Sequence, residues 1–223
     1  MAVYDLEEQE QIDELKTWWK QYGNLVMSVL LAATVSLAGW QGWNWWQRNQ
    51  AAQAAAVYGA LERAAVMHDA KKARDATGEL IDKYSMSSYA GMAALLSAKM
   101  QIEAGDLKTA KLQLGWAQEN ARDRGLRDLA RLRLAAVLLD EKAYDEALKQ
   151  LTSEPAASFA IRYAELRGDI LAAQGNVGEA KNAYQAALAK VDEAQKAASA
   201  DQRRSQYREL LQLKLESMGG RKP

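Results

Sequence analysis

The chain has 223 residues, with 29 basic and 29 acidic side chains and no cysteine. The balanced charge argues against a general nucleic-acid binder, which needs a basic face to displace counterions. Without cysteine there can be no disulfide framework, no thiolate zinc site and no cysteine nucleophile. Only two prolines and one phenylalanine, with abundant alanine, favour helices over strands.

The first 20 residues form an acidic head. Only Lys16 and Lys20 balance its six carboxylates, which belong to Asp5, Glu7, Glu8, Glu10, Asp13 and Glu14. Loosely spaced apolar residues between them are compatible with an amphipathic helix. The pattern leaves two interpretations open, a solvated tail or a docking segment for a soluble partner.

Residues 21–47 contain no charged side chain and are flanked by Lys20 and Arg48. As a helix, the segment from Tyr22 to Trp46 would be about 37 Å long at 1.5 Å per residue. This length exceeds the roughly 30 Å of hydrocarbon in a bilayer, so that a tilted helix would cross it. We therefore predict a transmembrane helix over residues 21–47.

The tryptophans are sorted to the two ends of this segment. Trp18 and Trp19 stand with Tyr22 at one end, and the other end carries Trp40, Trp43, Trp45 and Trp46. Indole rings prefer the headgroup interface, where the apolar ring and the polar N–H both find partners. A buried helix of a soluble protein has no reason for this sorting. A cleaved signal peptide would be shorter and would begin with basic residues.

The same segment carries a row of small residues. Ser28, Ala32 and Ser36 recur every four residues, and Gly39 lies close to the same helix face. Small side chains let a second helix approach closely within a membrane. We therefore expect this row to be the face that meets a partner helix.

The charges that flank the segment do not decide its orientation. The positive-inside rule counts lysines and arginines near the membrane ends. Lys16 and Lys20 precede the segment, and Arg48 and Arg63 follow within a similar distance, so the counts are equal. Charge alone leaves the orientation open.

The chain after Arg48 repeats itself at intervals near 34 residues. Four alanines mark equivalent positions, spaced by 34, 37 and 33 residues: Ala76, Ala110, Ala147 and Ala180. Five positions before them stand the turn residues Lys71, Gly105, Lys142 and Gly175. Twelve positions before them stand the small residues Ala64, Ala98, Ala135 and Gly168. Small residues where helices touch, with turns between the helices, indicate stacked helical hairpins of the tetratricopeptide type.

The end of the chain completes this architecture. Pro155 is expected to close the second helix of the third copy, and residues 201–218 are expected to form a capping helix. That helix would turn one partly buried side toward the stack, with Leu210, Leu211, Leu213 and Leu215. The sequence thus predicts an all-α fold, with an acidic head (1–20), a transmembrane helix (21–47) and a tetratricopeptide-like solenoid (48–223).

No residue constellation for chemistry emerges. His68 is the only histidine and stands beside Asp69 near a predicted turn, where such a pair usually belongs to the surface. The sequence has no HExxH pattern and no glycine-rich phosphate loop. Its acids alternate with lysines and arginines, as on solvated helix faces. We predict that the chain is not an enzyme and holds neither a metal nor a cofactor.

Solenoids of this type bind protein segments on an extended concave surface. The aromatic residues available to line it are Tyr58, Tyr84, Tyr89, Trp116, Tyr144, Tyr163 and Tyr184. Tyr184 occupies a core position of the repeat. Tyr89 and Trp116 fall outside the small-residue positions, and we expect these two to contact a protein partner.

The layout as a whole resembles the YfgM family of bacterial inner-membrane proteins. The resemblance rests on the run EEQEQIDELKTWWKQYGN, on the ending GWQGWNWWQ of the apolar segment, and on the alanine-rich repeat domain that follows. Its most specific part is residues 7–50. It covers nearly the full chain.

This resemblance implies a cytoplasmic N-terminus and a periplasmic repeat domain. It also implies association with the SecYEG translocon and with the periplasmic chaperone PpiD, in an ancillary role that helps exported unfolded chains reach periplasmic folding factors. The residues themselves leave two alternatives open. One is an assembly scaffold of another envelope complex, and the other is a signalling adaptor that acts through the acidic head.

Overall fold

The computed structural model describes residues 4–197 and 202–219. Every regular element among them is helical, which confirms the predicted all-α class. One 3-10 turn, Ala157–Phe159, precedes the seventh helix. The α-helices of the described residues are α1 (Tyr4–Val66), α2 (Ala70–Tyr84), α3 (Ser88–Glu103), α4 (Leu107–Asn120), α5 (Arg124–Asp140), α6 (Tyr144–Gln150), α7 (Ala160–Gln174), α8 (Val177–Ala197) and α9 (Gln202–Gly219).

The chain divides into two compact units, Met1–Ala51 and Ala52–Pro223. Helix α1 contributes to both, since its residues 52–66 belong to the second unit. The described part of the first unit is therefore a single stretch of helix. The second unit consists of the end of α1 followed by α2 to α9.

The first unit exposes its apolar side chains. Leu31, Val35 and Leu37 are 67%, 64% and 61% exposed, and almost none of the most apolar window of the helix is buried. A core helix of a soluble protein would bury this window, so the exposure contradicts that alternative. By its length and composition, the helix is able to cross a membrane.

Aromatic rings cluster at both ends of the apolar stretch. The ring centroid of Trp18 lies 6.4 Å from that of Trp19 and 5.8 Å from that of Tyr22. At the other end, the rings of Trp43 and Trp46 lie 5.4 Å apart. Each cluster presents several amphipathic rings at one level of the helix, as expected for anchors at a membrane interface.

Four hairpins of the second unit share one turn geometry. After the first helix of each hairpin comes a residue with positive φ: His68 (53°), Gly105 (79°), Lys142 (61°) and Gly175 (89°). The same two backbone hydrogen bonds close each helix end. In the second hairpin, Asp106 N–H donates to Gln101 O at 2.8 Å and Gly105 N–H donates to Ile102 O at 3.0 Å. The first helices are thus the end of α1, α3, α5 and α7, and the second helices are α2, α4, α6 and α8.

This geometry corrects the predicted register of the first copy. The equivalent of Gly105 is His68 rather than Lys71, because His68 has the positive φ and the matching hydrogen bonds. As a result, the fully buried alanine of this hairpin is Ala73, three residues before the predicted Ala76. An alanine-rich helix offers several small residues, so alanine spacing alone does not fix the register.

Carboxylates cap the second helices of the first two hairpins. Asp69 Oδ1 accepts a hydrogen bond from the backbone N–H of Lys72 at 3.0 Å, and Asp106 Oδ1 accepts one from Thr109 N–H at 3.1 Å. Hydrogen bonds from Lys72 lower the pKa of Asp69, and hydrogen bonds from Thr109 lower that of Asp106. His68 and Asp69 therefore form a turn and a helix cap, in agreement with the expected surface pair.

Small residues allow the two helices to approach closely in the second, third and fourth hairpins, whereas Leu61 holds the equivalent position of the first hairpin. The closest approach is at Gly168, where an added Cβ would lie 2.6 Å from the ring of Tyr184. Ala98 and Ala135 hold the equivalent positions of the second and third hairpins and are fully buried. Leu114 is fully buried as well, and burial of a leucine contributes about 1.5–3 kcal/mol to folding.

The first helices of neighbouring hairpins pack against each other more closely than the second helices do. Helix α3 contacts α5, and α5 contacts α7. The side of closer packing is the inside of a curved stack. We use the name inner surface for the exposed and half-buried side chains of the first helices, in particular Tyr58, Tyr89, Met92, Leu96, Leu129, Leu132, Arg133 and Leu166.

The third hairpin departs from the regular pattern. Its second helix α6 has 7 residues, whereas α2 and α4 have 15 and 14. The helix has no side-chain cap at Ala143 and ends at Gln150, well before Pro155. The prediction that Pro155 closes this helix is therefore wrong. The segment 151–159 occupies only part of the space that a full-length helix would fill.

Helix α9 covers the end of the stack, as predicted for a capping helix. Leu211 is fully buried, and Leu215 packs against the same cluster of α7 and α8 residues. Leu210 and Leu213 are 44% and 63% exposed, so only two of the four expected leucines face the stack. The reason is the helical period, which places residues 210 and 213 on the side opposite to 211 and 215.

Candidate interaction surfaces

The small-residue row of the first unit is fully accessible. Ser28, Ala32, Ser36 and Gly39 are all exposed, and an added Cβ at Gly39 would meet no atom within 4 Å. The hydroxyl of Ser28 donates to Asn24 O at 2.7 Å within the same helix. A second helix would therefore meet this row through close packing rather than through that hydroxyl. The role of the row stays a prediction.

Two tyrosines join the first two hairpins on the inner surface. The rings of Tyr58 on α1 and Tyr89 on α3 lie 5.4 Å apart, and both side chains are half-buried. Burial, and then the nearby carboxylate of Glu62, raises the pKa of Tyr58. Tyr89 thus packs against the core with one side and borders the inner surface, and its role in partner binding stays a prediction.

Trp116 lies on a second helix, α4, whereas Tyr89 lies on a first helix, α3. It is half-buried and packs against two core clusters. One consists of residues of α1, α2 and α3, and the other of residues of α3 to α7. Its indole therefore contributes to the packing between hairpins. Its role in partner binding stays a prediction. Tyr163 and Tyr184 are only 4% and 3% exposed, which removes both from the aromatic residues that could line a surface.

Arg133 is an unusual residue of the inner surface. Its side chain is half-buried, and Nη1 donates to the carbonyl oxygen of Leu95 on α3 at 3.1 Å. None of the ion pairs in the part of the chain that the structure describes includes it. Burial lowers the pKa of Arg133. Sequence reasoning missed this residue, because the packing of α3 against α5 creates its surroundings.

A groove of about 920 Å³ opens where α6 is short. Apolar side chains of α7 and α8 form part of its walls, among them Ala160, Ile161, Ala164, Ala183 and Ala186. Charges of both signs stand around it, including Arg167, Lys190, Glu179 and Glu193. This mixed rim selects no charge in a ligand.

A buried carboxylate holds the segment beside this groove. Asp128 on α5 is 1% exposed, and its Oδ2 accepts a hydrogen bond from Ala156 N–H at 2.8 Å. Its Oδ1 lies 3.1 Å from Arg131 Nη1. Tyr163 OH donates to the backbone oxygen of Asp128 at 2.9 Å, and burial raises the pKa of Tyr163 to about 12. Asp128 therefore ties α5 to the irregular segment and to α7.

An ionic cluster fixes the capping helix. Lys214 Nζ on α9 lies 2.9 Å from Glu165 Oε1 and 2.8 Å from Asp169 Oδ1, both on α7. Tyr207 OH donates to Glu165, and Tyr184 OH donates to Asp169 at 2.7 Å. Burial opposes the charge of Lys214, but the hydrogen bonds that its ammonium donates to Asp169 and Glu165 outweigh this effect and raise the pKa of the lysine. Arg162 Nη1 lies 3.6 Å from Glu165 Oε2 and supplies a second positive charge, so that two cations face two carboxylates. Matched charges are expected for a structural joint rather than for a ligand site.

The described residues, 4–197 and 202–219, contain no group of three His, Asp or Glu side chains arranged to hold a metal ion. His68 lies in the exposed turn after α1, far in sequence from the clustered carboxylates of α7. The described residues offer three candidate interaction surfaces: an exposed apolar helix, the inner surface and a groove.

The chain is similar to known proteins along its length. Residues 16–220 match the model of the tetratricopeptide repeat-like domain family. An ancillary SecYEG translocon subunit of Haemophilus influenzae is 33% identical over 83% of this chain and 90% of its own length. One from Neisseria gonorrhoeae is 32% identical over 98% of this chain and its entire length. The corresponding protein of Escherichia coli is 26% identical over 84% of this chain.

These matches confirm the resemblance inferred from the sequence and the repeat type that the hairpins display. The relatives are named as translocon subunits and not as enzymes, in agreement with the absence of a catalytic constellation in the sequence. The matched region takes in both the apolar helix and the repeats. This chain therefore belongs to the tetratricopeptide repeat-like family of ancillary SecYEG translocon subunits.

Proposed function

We propose that this chain is a membrane-anchored ancillary subunit of the bacterial SecYEG translocon. The observation that carries the proposal is the alignment with the gonococcal ancillary subunit, which covers 98% of this chain and the whole of that relative. The alignment includes the exposed apolar helix as well as the repeats.

The proposed arrangement assigns one role to each segment. Residues 1–20 form a cytoplasmic head, residues 21–47 span the inner membrane, and residues 48–223 stand in the periplasm. The exposed apolar side chains and the two aromatic clusters support the spanning segment. The resemblance to the YfgM family supports the orientation, which the flanking charges do not decide.

The proposed role is to hold a repeat domain at the exit of the channel. A short tether raises the effective concentration of weak binding sites to about the millimolar range, so that modest affinities suffice. Exported unfolded chains and the periplasmic chaperone PpiD are the proposed partners of the repeat domain. The row of Ser28, Ala32, Ser36 and Gly39 is the proposed face toward a translocon helix.

The absence of cysteine provides a clean test of the topology. A single cysteine introduced at Glu8 or at Glu103 is the only thiol in the chain. In cells with a permeabilised outer membrane, an impermeant maleimide should label Glu103→Cys, and Glu8→Cys only after the inner membrane is opened. The reverse pattern would contradict the proposed orientation, and labelling of both without opening would contradict the span.

Co-purification tests the association itself. The native chain, extracted in mild detergent, should retain SecYEG subunits. A chain in which residues 21–47 are replaced by an unrelated spanning helix with the same terminal tryptophans should retain fewer of them. Equal retention would show that the segment is only an anchor. Loss of SecYEG from the native chain would refute the proposed function.

A further inference from the structure

We propose that the groove beside α6 is a docking site for an amphipathic helix of another protein, and that this helix places a leucine-sized apolar side chain on the alanines of α7. The site belongs to the repeat unit alone. It goes beyond the proposed association with the translocon, and its test does not depend on that association.

The groove continues the interface between α6 and α7. In the first hairpin, Leu80 lies in the second half of the second helix, is fully buried and belongs to the same core cluster as Ala90 of α3. Alignment of the hairpins on their positive-φ turn residues makes Glu154 the equivalent of Leu80 in the third hairpin. Glu154 is exposed, lies beyond the end of α6 and lines the groove. A helix is thus missing where the first hairpin has one.

The alanines below the missing helix turns are uncovered. Ala160 and Ala164 of α7 line the groove and are only half-buried. On the same alignment, Ala90 and Ala94 of α3 hold the equivalent positions, and both are fully buried. The same small residues are therefore buried where the preceding second helix is complete and uncovered where it is short.

Long side chains occupy the corresponding crevice between the second and third hairpins. The residues of α5 that are equivalent to Ala160 and Ala164 are Arg127 and Arg131, and they line a cavity of only about 410 Å³. The groove, at about 920 Å³, is more than twice as large. An apolar surface that is left open inside a polar rim is typical of a protein-binding site.

The size and the charges of the groove suit an amphipathic helix. Helix α6 has 7 residues where α4 has 14, so the missing stretch corresponds to about 10 Å of helix. Small residues on one helix let the side chains of another helix pack between them. Four charged residues of both signs stand at the rim, and the part of the chain that the structure describes offers them no ion pair: Arg167, Lys190, Glu179 and Glu193. A helix with charges of both signs around its leucine, as Glu79 and Lys83 surround Leu80 in α2, would match this rim.

Two helical peptides test the site. The first contains residues 78–84, the second half of α2, lengthened at the C-terminus to about 12 residues and held helical by a side-chain cross-link, because free helices of this length are marginal in water. The second carries Leu80→Glu, which gives it the residue type that the third hairpin has at Glu154. Fluorescence anisotropy of the labelled peptides is measured with the full chain in lipid nanodiscs. We expect the leucine peptide to bind at least about tenfold more tightly than the glutamate peptide.

Variants of the chain locate the bound peptide. Ala164→Arg places a long side chain in the groove and should abolish binding of the leucine peptide. The fold should tolerate this change, because α5 carries Arg131 at the equivalent position, and an unchanged melting temperature would verify it. Ala160→Arg, which copies Arg127, should have the same effect. Ala189→Arg is the matched control, since Ala189 is exposed on α8 outside the groove, and it should bind the peptide as the native chain does.

Three results would overturn the proposal: no binding of the leucine peptide, equal binding of the two peptides, or unchanged binding to Ala164→Arg and Ala160→Arg. The third result is also expected if the peptide replaces α2 in the first hairpin instead of entering the groove. Self-association of the native chain that Ala164→Arg removes would show that a second copy occupies the groove, and this would overturn the assignment to another protein.

Discussion

The substitution Asp128→Ala should destabilise the repeat unit strongly. The carboxylate of Asp128 is 1% exposed and accepts from Ala156 N–H at 2.8 Å and from Arg131 at 3.1 Å. Its loss leaves both donors without a partner, and breaking a buried ion pair or leaving buried donors unmatched costs about 3 kcal/mol in total. For a unit of this size, that loss corresponds to a fall of about 9 °C in the melting temperature.

The assay is thermal unfolding of the full chain in detergent, followed by circular dichroism at a helix band. Asp140→Ala is the matched control, since Asp140 is the other aspartate of α5 and is exposed at its last residue. The control should stay within about 0.5 kcal/mol of the native chain. If Asp128→Ala behaves like Asp140→Ala, then Asp128 does not hold the segment 151–159 in place and the reasoning is refuted.

Three further predictions use the same unfolding assay. Gly168→Ala should lower the free energy of unfolding by about 1–3 kcal/mol, because the new Cβ would lie 2.6 Å from the Tyr184 ring. Gly178→Ala is the control and should not lower the free energy of unfolding, because a Cβ at Gly178 would meet no atom within 4 Å. Lys142→Gly should raise the free energy of unfolding by about 1 kcal/mol, since φ at Lys142 is 61°. An unchanged free energy would contradict the assignment of strain to that turn. The pKa of Tyr163 is raised to about 12 in the folded chain, above the unfolded value near 10, so the folded state keeps a proton that the unfolded state releases between these values. The free energy of unfolding should therefore fall as the pH rises from about 10 to 12, and Tyr163→Phe should make this fall smaller. An equal fall in the native chain and in Tyr163→Phe would contradict the raised pKa of Tyr163.

The apolar helix could be predicted because its signal is local. A run of 27 uncharged residues, 21–47, with tryptophans at both ends depends on no distant contact. The second, third and fourth hairpins were also predictable, because turn residues such as Gly105 and Gly175 stand at fixed distances from buried alanines. In these three hairpins, the positive φ of the turn determines both the sequence pattern and the structure.

The first hairpin shows where such reasoning fails. Its turn uses His68 at positive φ, and a non-glycine residue there, like Lys142 in the third hairpin, carries no pattern of its own. In the first hairpin, unlike the third, the alanine spacing also indicated the wrong residue, Ala76 instead of Ala73. The aspartate cap at Asp69, which corresponds to Asp106, was the signal that could have given the correct register. Helix caps are sparse in sequence, and alanine-rich helices offer many competing alignments.

Side-chain contacts between segments that are distant in sequence could not be predicted from the spacing of the repeats. Asp128 meets Ala156 across 28 positions, and Lys214 meets Asp169 across 45. These contacts depend on how complete hairpins stack, which no local pattern records. For the same reason, Tyr163 was placed among the residues available to line a surface, although its hydroxyl bonds to the backbone of Asp128 in the interior.

The most direct test of the central claim is photocrosslinking in living cells from two neighbouring positions of the first unit. A probe at Ala32 lies on the small-residue row, and a probe at Leu30 lies at nearly the same depth, about 160° around the helix. The account predicts crosslinks to SecYEG subunits from Ala32, with few or none from Leu30. Crosslinks of equal strength from both positions would contradict a specific helix face, and the absence of SecYEG from both would contradict the proposed place of this chain at the translocon.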